Sequence, residues 1–118
     1  MNFNDLFWHD ATLLSIYIDR KNPGKKDIVQ LEIEWPTETL SIIEFYDCYL
    51  FNVRMNFGVV ASESILEAEC IIDSKEIHSI REEWLKMEIT LENLKCYRII
   101  TNSTNSIIDI FSMGFRIL

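Results

Sequence analysis

A chain of 118 residues that is 48% hydrophobic, with only three glycines and two prolines, suits one packed domain and excludes a disordered tail or two domains on a flexible linker. A formal net charge of −8 repels phosphate backbones, which argues against nucleic acid as a direct ligand and admits a basic protein as one. Cys48, Cys70 and Cys96 are odd in number and lack Cys-x-x-Cys spacing, and no early apolar segment follows basic residues. They read as buried thiols in a cytoplasmic protein that is not exported.

Residues 1–8 gather Phe3, Phe7 and Trp8 around Leu6 and are too short for a helix of their own, so they predict a lid or a single turn. From Thr12, Leu14, Ile16 and Ile18 form an apolar face against a mixed one of Leu13, Ser15, Tyr17 and Asp19, the two-residue period of a strand. After a turn at Asn22-Pro23-Gly24, Val29, Leu31, Ile33 and Trp35 alternate with Ile28, Gln30, Glu32 and Glu34. This second strand is expected to pair antiparallel with the first, and Pro36 closes it.

A third strand is expected over Leu40 to Tyr46, its phase blurred at Ile42-Ile43. A fourth follows, with Tyr49, Phe51, Val53, Met55 and Phe57 facing inward until Gly58. Residues 64–72 mix helix-favouring Glu and Ala with an alternating pattern and are assigned to a strand. Asp73 with Glu76 forms a capping box ahead of Ile77, Ile80, Trp84 and Met87 at helical spacing, which predicts a helix over about residues 74–87 that covers the sheet. Each of those four side chains contributes roughly 1.5 to 3 kcal/mol if fully buried. On the opposite side of the helix, Glu82 and Lys86 stand four apart as an exposed pair.

Residues 94–101 and 106–117 read as a closing hairpin around Asn102-Ser103-Thr104-Asn105. The inward phase changes between Ile108-Ile110 and Phe111-Met113-Phe115-Ile117, which predicts a bulge or bend near Ser112-Gly114. Asn102-Ser103-Thr104 also matches a glycosylation acceptor, but a polar turn is the expected role. The expected fold is thus α+β: a mainly antiparallel sheet of six to seven strands, open or curled, under one helix.

Chemistry-bearing groups are sparse. His9 beside Asp10 is the one pairing suited to acid–base work, yet neighbours in an extended segment point to opposite faces. His9 is therefore expected to be structural, bonding a backbone carbonyl beside Trp8, and Asp10 to accept backbone N–H bonds at the bend. His78 has no second histidine four residues on and reads as a surface side chain. No glycine-rich phosphate loop, serine elbow or zinc spacing is present, so no catalytic residue, metal or cofactor is expected.

Charge is regional. Residues 63–92 hold nine acids against Lys75, Arg81 and Lys86, a balance of −6; residues 93–118 hold Asp109 against Lys95, Arg98 and Arg116, a balance of +2. Glu67, Glu69, Glu76, Glu82 and Glu83 are the candidate partner-binding surface, with Trp8, His9 and Asp10 as a second candidate cluster.

Trp8-His9-Asp10-Ala11 leading into Leu14-x-Ile16-x-Ile18-Asp19, with Asp47-Cys48, Asn56-Phe57-Gly58, Glu69-Cys70, Leu94-Lys95-Cys96-Tyr97 and Thr101-Asn102-Ser103-Thr104, resembles the Immunity protein 50 family over almost the whole chain. The resemblance implies a small cytoplasmic bacterial protein that neutralises a toxin of a polymorphic toxin system by binding it. The implied partner is a cognate, basic toxin domain, with no nucleic acid and no membrane. An enzyme (a hydrolase or isomerase) using His9 and Asp10, and a homodimer or larger assembly joined at a sheet edge, are the rival expectations.

Overall fold

Alternating side chains build six strands and one helix in the computed structural model, which describes residues 2–118. In chain order these are β1 (Thr12–Ile18), β2 (Val29–Glu34), β3 (Leu40–Arg54), β4 (Ile65–Ile71), α1 (Lys75–Leu85), β5 (Lys95–Thr101) and β6 (Ile107–Ile117), after a single 3-10 turn at Phe3–Asp5. All pair antiparallel in one open sheet of order β1-β2-β3-β6-β5-β4. The α+β expectation holds and six strands fall within the expected six to seven, but the expected third and fourth strands are a single 15-residue strand. Asp47 sits in its middle with φ 49°, and the register against β6 shifts between Cys48 and Leu50, so the break in phase is a bulge rather than an end.

The sheet coils until its edges meet at one end. Thr12 bridges Ser64, and Leu13 N–H donates to the Glu63 carbonyl at 2.9 Å while Ile65 N–H donates to that of Ala11 at 2.7 Å. Every strand thereby contributes to one inner core, which includes Leu13, Leu31, Ile33, Phe45, Ile65, Ile99 and Ile110. Phe3 and Trp8 complete it: Trp8 is buried, and its indole N–H donates to the Phe3 carbonyl at 2.8 Å. Asn4 Oδ1 accepts the Cys70 N–H at 2.8 Å, tying the 3-10 turn to β4. Residues 2–8 therefore pack as the expected lid, with a single 3-10 turn at Phe3–Asp5, although Phe7 points to solvent.

Several side chains lie elsewhere than their spacing predicts. In β1 the register slips between Leu13 and Ser15, so Leu13 is buried whereas Leu14 is 47% exposed. Ile18, expected inside with Leu14, is also exposed. Val53 and Phe57, expected to face inward, are exposed, whereas Phe51 and Met55 of the same stripe pack on the inner core. In the C-terminal hairpin Ile108 and Ile110 join the inner core, Phe111 and Met113 turn to the helix, and Phe115 and Ile117 return to the inner core. The expected phase change is there, but the register shift lies on β3 opposite it.

The helix covers a second, smaller core on the outer face, made by Ile77, Leu91, Leu94, Cys96 and Phe111 with Tyr49, Ile71, Ile80 and Trp84 against it. It ends at Leu85, two residues short of the expected 87, and Met87 is exposed. Its N-cap is Ser74, whose hydroxyl accepts the Ile77 N–H, instead of Asp73. Asp73 meets His78 at 2.6 Å in place of the capping box. Lys86 reaches Glu83 at 3.0 Å, three residues back, and not Glu82.

Candidate functional site

Cross-strand partners share a sheet face, and the register therefore lays out the outer face in rows. Ile71, Cys96, Phe111 and Leu50 form the row associated with the helix; Glu69, Arg98, Asp109 and Asn52 form the next; Glu67, Ile100, Ile107 and Arg54 form the last. Glu67 and Glu69 thus stand on the helix-bearing side of the edge strand β4. Glu76, Glu82 and Glu83 project from α1 itself, and all five glutamates are exposed. The expected acidic surface is one side of the molecule.

Its charge is partly answered from within. Glu83 holds Lys86, and Glu69 lies opposite Arg98, which is itself clamped by Asp109. Asp109 is buried and receives Nε of Arg98 at 2.7 Å and Nη2 at 3.0 Å, a bidentate pair whose hydrogen bonds raise the guanidinium's pKa further. Glu67, Glu76 and Glu82 have no cation within ion-pair distance among the described residues.

Trp8, His9 and Asp10 do not form a catalytic constellation. Asp10 has φ 67°, so the segment turns instead of running extended, and His9 Nε2 comes to 3.7 Å from Asp10 Oδ2 with both side chains exposed to solvent. That distance is too long for a hydrogen bond. His9 Nδ1 lies 3.0 Å from the Leu66 carbonyl, the kind of backbone bond expected of it. The Asp10 carboxylate accepts no backbone N–H among the described residues; the bend is held instead by its own N–H donating to the Ile65 carbonyl at 3.0 Å. Asn102–Asn105 is the expected polar turn: Thr104 Oγ1 donates to Glu63 Oε1, and Ser103 Oγ to the Ser62 carbonyl.

The three thiols are free and unactivated. Burial pushes Cys48 and Cys96 each up to about 12, with Asp27 and Asp47 adding to the first and Asp109 to the second; Cys70 is raised for the same reason. A thiol held protonated at neutral pH is a poor nucleophile.

A cleft of about 760 Å³ opens where the β1–β2 turn, the β3 bulge and the end of α1 converge. Its walls are apolar (Ile18, Ile28, Leu50, Trp84 and Ile89), and Tyr49 and Trp84 meet edge to face at 4.9 Å. On one side Arg20 donates to Asp27 at 2.8 Å, and Gly24 N–H donates to the same carboxylate oxygen at 3.0 Å; the Gly24 bond and then Arg20 hold Asp27 below the usual carboxylate range. On another, Asp47 is exposed and has no cation within ion-pair distance among the described residues. Tyr49 sits in an aromatic stripe that could line a pocket but whose strand spacing favours core, and Asp47 in a stretch that reads as a gap between strands.

What fold and surface define is an open, coiled antiparallel sheet with one covering helix, an acidic outer side and an aromatic cleft next to it. Set against protein families, curated proteins and solved structures, the chain gives no match. No helix among the described residues is long and apolar enough to cross a membrane.

Proposed function

We propose that this is a cytoplasmic, immunity-type binding protein that captures a basic toxin domain on its acidic outer side and blocks it by occupancy, without chemistry of its own. The resemblance to Immunity protein 50 motivates the class. The observation that carries the surface is the placement of Glu67, Glu76 and Glu82, exposed and with no cation within ion-pair distance among the described residues, on one side of the molecule. Such a field mainly accelerates encounter, while buried aromatic contacts set the dissociation rate.

The test uses the C-terminal domain of any large secreted protein encoded directly upstream. Replacing Glu76, Glu82 and Glu83 by lysine is expected to lower the association rate at low salt by roughly tenfold or more, with the gap closing as salt is added. Unchanged capture at low salt removes that face from the binding surface.

A second reading, self-association through β1, is favoured by one observation. Past Leu13, where it meets residues 63–65, β1 is an edge strand without a charge, and Leu14, Tyr17 and Ile18 are exposed on it. Sedimentation showing a monomer at every concentration removes this reading.

A further inference from the structure

We infer that the Tyr49–Trp84 cleft is a receptor for an arginine side chain presented by the protein partner, the anchor that the acidic side steers into place. The inference takes the partner's basic character from the reading above, but the subsite stands on its own geometry. Its walls are apolar and aromatic, which suits a planar, weakly hydrated guanidinium and its three-carbon stem better than a compact, strongly hydrated ammonium. Asp47 supplies an exposed carboxylate at the same cleft with no cation within ion-pair distance among the described residues, so the charge left to complement is negative. Arg20, the one cation among the described residues lining the cleft, is already committed to Asp27, whose pKa is lowered by the Gly24 N–H bond and then by Arg20.

The surroundings fit an anchoring point. Ile18, Leu50 and Ile89 are exposed apolar side chains at the cleft, and Ile89 also lines a second hollow with Arg81, Leu85 and Glu92, so the apolar surface continues past the end of α1. An apolar, aromatic centre ringed by charges is how protein interfaces concentrate their binding energy. The bulge at Asp47 gives the cleft its shape: the left-handed backbone there kinks β3.

The test titrates the full ¹⁵N-labelled chain with Nα-acetyl-arginine amide and, separately, with the neutral isostere Nα-acetyl-citrulline amide. Arginine amide is expected to shift the Trp84 indole N–H and the Asp47 and Tyr49 amides in a saturating way, and to bind roughly tenfold tighter than citrulline amide. Asp47→Asn keeps a residue that tolerates positive φ, so it retains the fold and is expected to abolish the preference. Equal response to both amides, shifts confined to the α1 glutamates, or a preference that survives Asp47→Asn each overturn the inference. No toxin enters this measurement, so a chain that protects against nothing still passes it, and one that captures a toxin through α1 alone fails it.

Discussion

Arg98 and Asp109 face each other across neighbouring strands and are joined by two nearly parallel hydrogen bonds of 2.7 and 3.0 Å, yet they differ in exposure: the Asp109 side chain is 11% exposed and that of Arg98 38%. The two halves of the pair are therefore not equivalent. Arg98→Met strands a buried carboxylate and is expected to cost about 1–3 kcal/mol. Asp109→Asn keeps an acceptor in place and leaves a guanidinium that reaches water, and is expected to cost about 1 kcal/mol or less. Urea unfolding of the two variants checks the order, and equal losses contradict it.

Gly114 lies opposite Tyr46 in the β3–β6 register, and a Cβ there would come within 2.2 Å of the phenol oxygen and 2.6 Å of the ring carbon bearing it. Arg116 in turn stacks on the same ring at 4.5 Å and pairs with Glu44 at 2.9 Å. Gly114→Ala has to push a stiff ring off its seat, at a cost of about 1–3 kcal/mol. In a Tyr46→Ala background the obstacle is gone. A double-mutant cycle in denaturant is expected to show most of the Gly114→Ala cost disappearing there.

These relationships mark where sequence patterns stop informing. Strand β2 was legible because each of its side chains alternates without interruption, and Val29, Leu31 and Ile33 are all buried. Strand β1 keeps its existence, its pairing and, past the bulge, its expected face, since Ile16 and Ile18 pair with Leu31 and Val29 and Ile16 packs on the inner core; the slip after Leu13 swaps only Leu13 inward and Leu14 outward. Periodicity counts residues; it cannot see an extra one on a single strand. The fusion of two expected strands into β3 has the same origin at Asp47. The acidic side was legible because charge needs no register to be exposed, whereas the cleft needed segments 18–28, 47–51 and 84–89 brought together in space.

Alkaline stability follows from the thiols. In the unfolded chain a thiol titrates near 9.0, whereas folded Cys48 and Cys96 hold their protons to about 12 because burial disfavours the thiolate. Between those values the unfolded state binds fewer protons, so stability is full below pH 9 and falls as pH rises through the window. Tyr97, raised by burial, extends the loss upward. Asp27 acts with the opposite sign: its folded pKa is depressed below 3.8, so its contribution is present above that value and lost as pH falls through the folded one. Unfolding midpoints across pH 7 to 11 are expected to decline from about pH 9, and the slope is expected to shrink in Cys48→Ala.

The Trp8-His9-Asp10 segment should divide sharply when each residue is changed alone. Trp8 is buried against Phe3 and Trp35 and donates to the Phe3 carbonyl, so Trp8→Ala opens the plugged end of the core at about 3–5 kcal/mol. His9 is exposed and offers one bond, to Leu66, so His9→Ala is expected to cost about 1 kcal/mol or less. Asp10→Gly relieves a left-handed backbone at φ 67° and is expected to be neutral or slightly stabilising, whereas Asp10→Val strains it. Thermal unfolding ranks the four. A rival account in which His9 and Asp10 form a catalytic pair makes the opposite functional forecast: His9→Ala, folded and nearly as stable as the parent, would lose any turnover or toxin protection the protein provides. Protection that survives His9→Ala but fails in Trp8→Ala, in step with the amount of folded protein, assigns the segment to architecture.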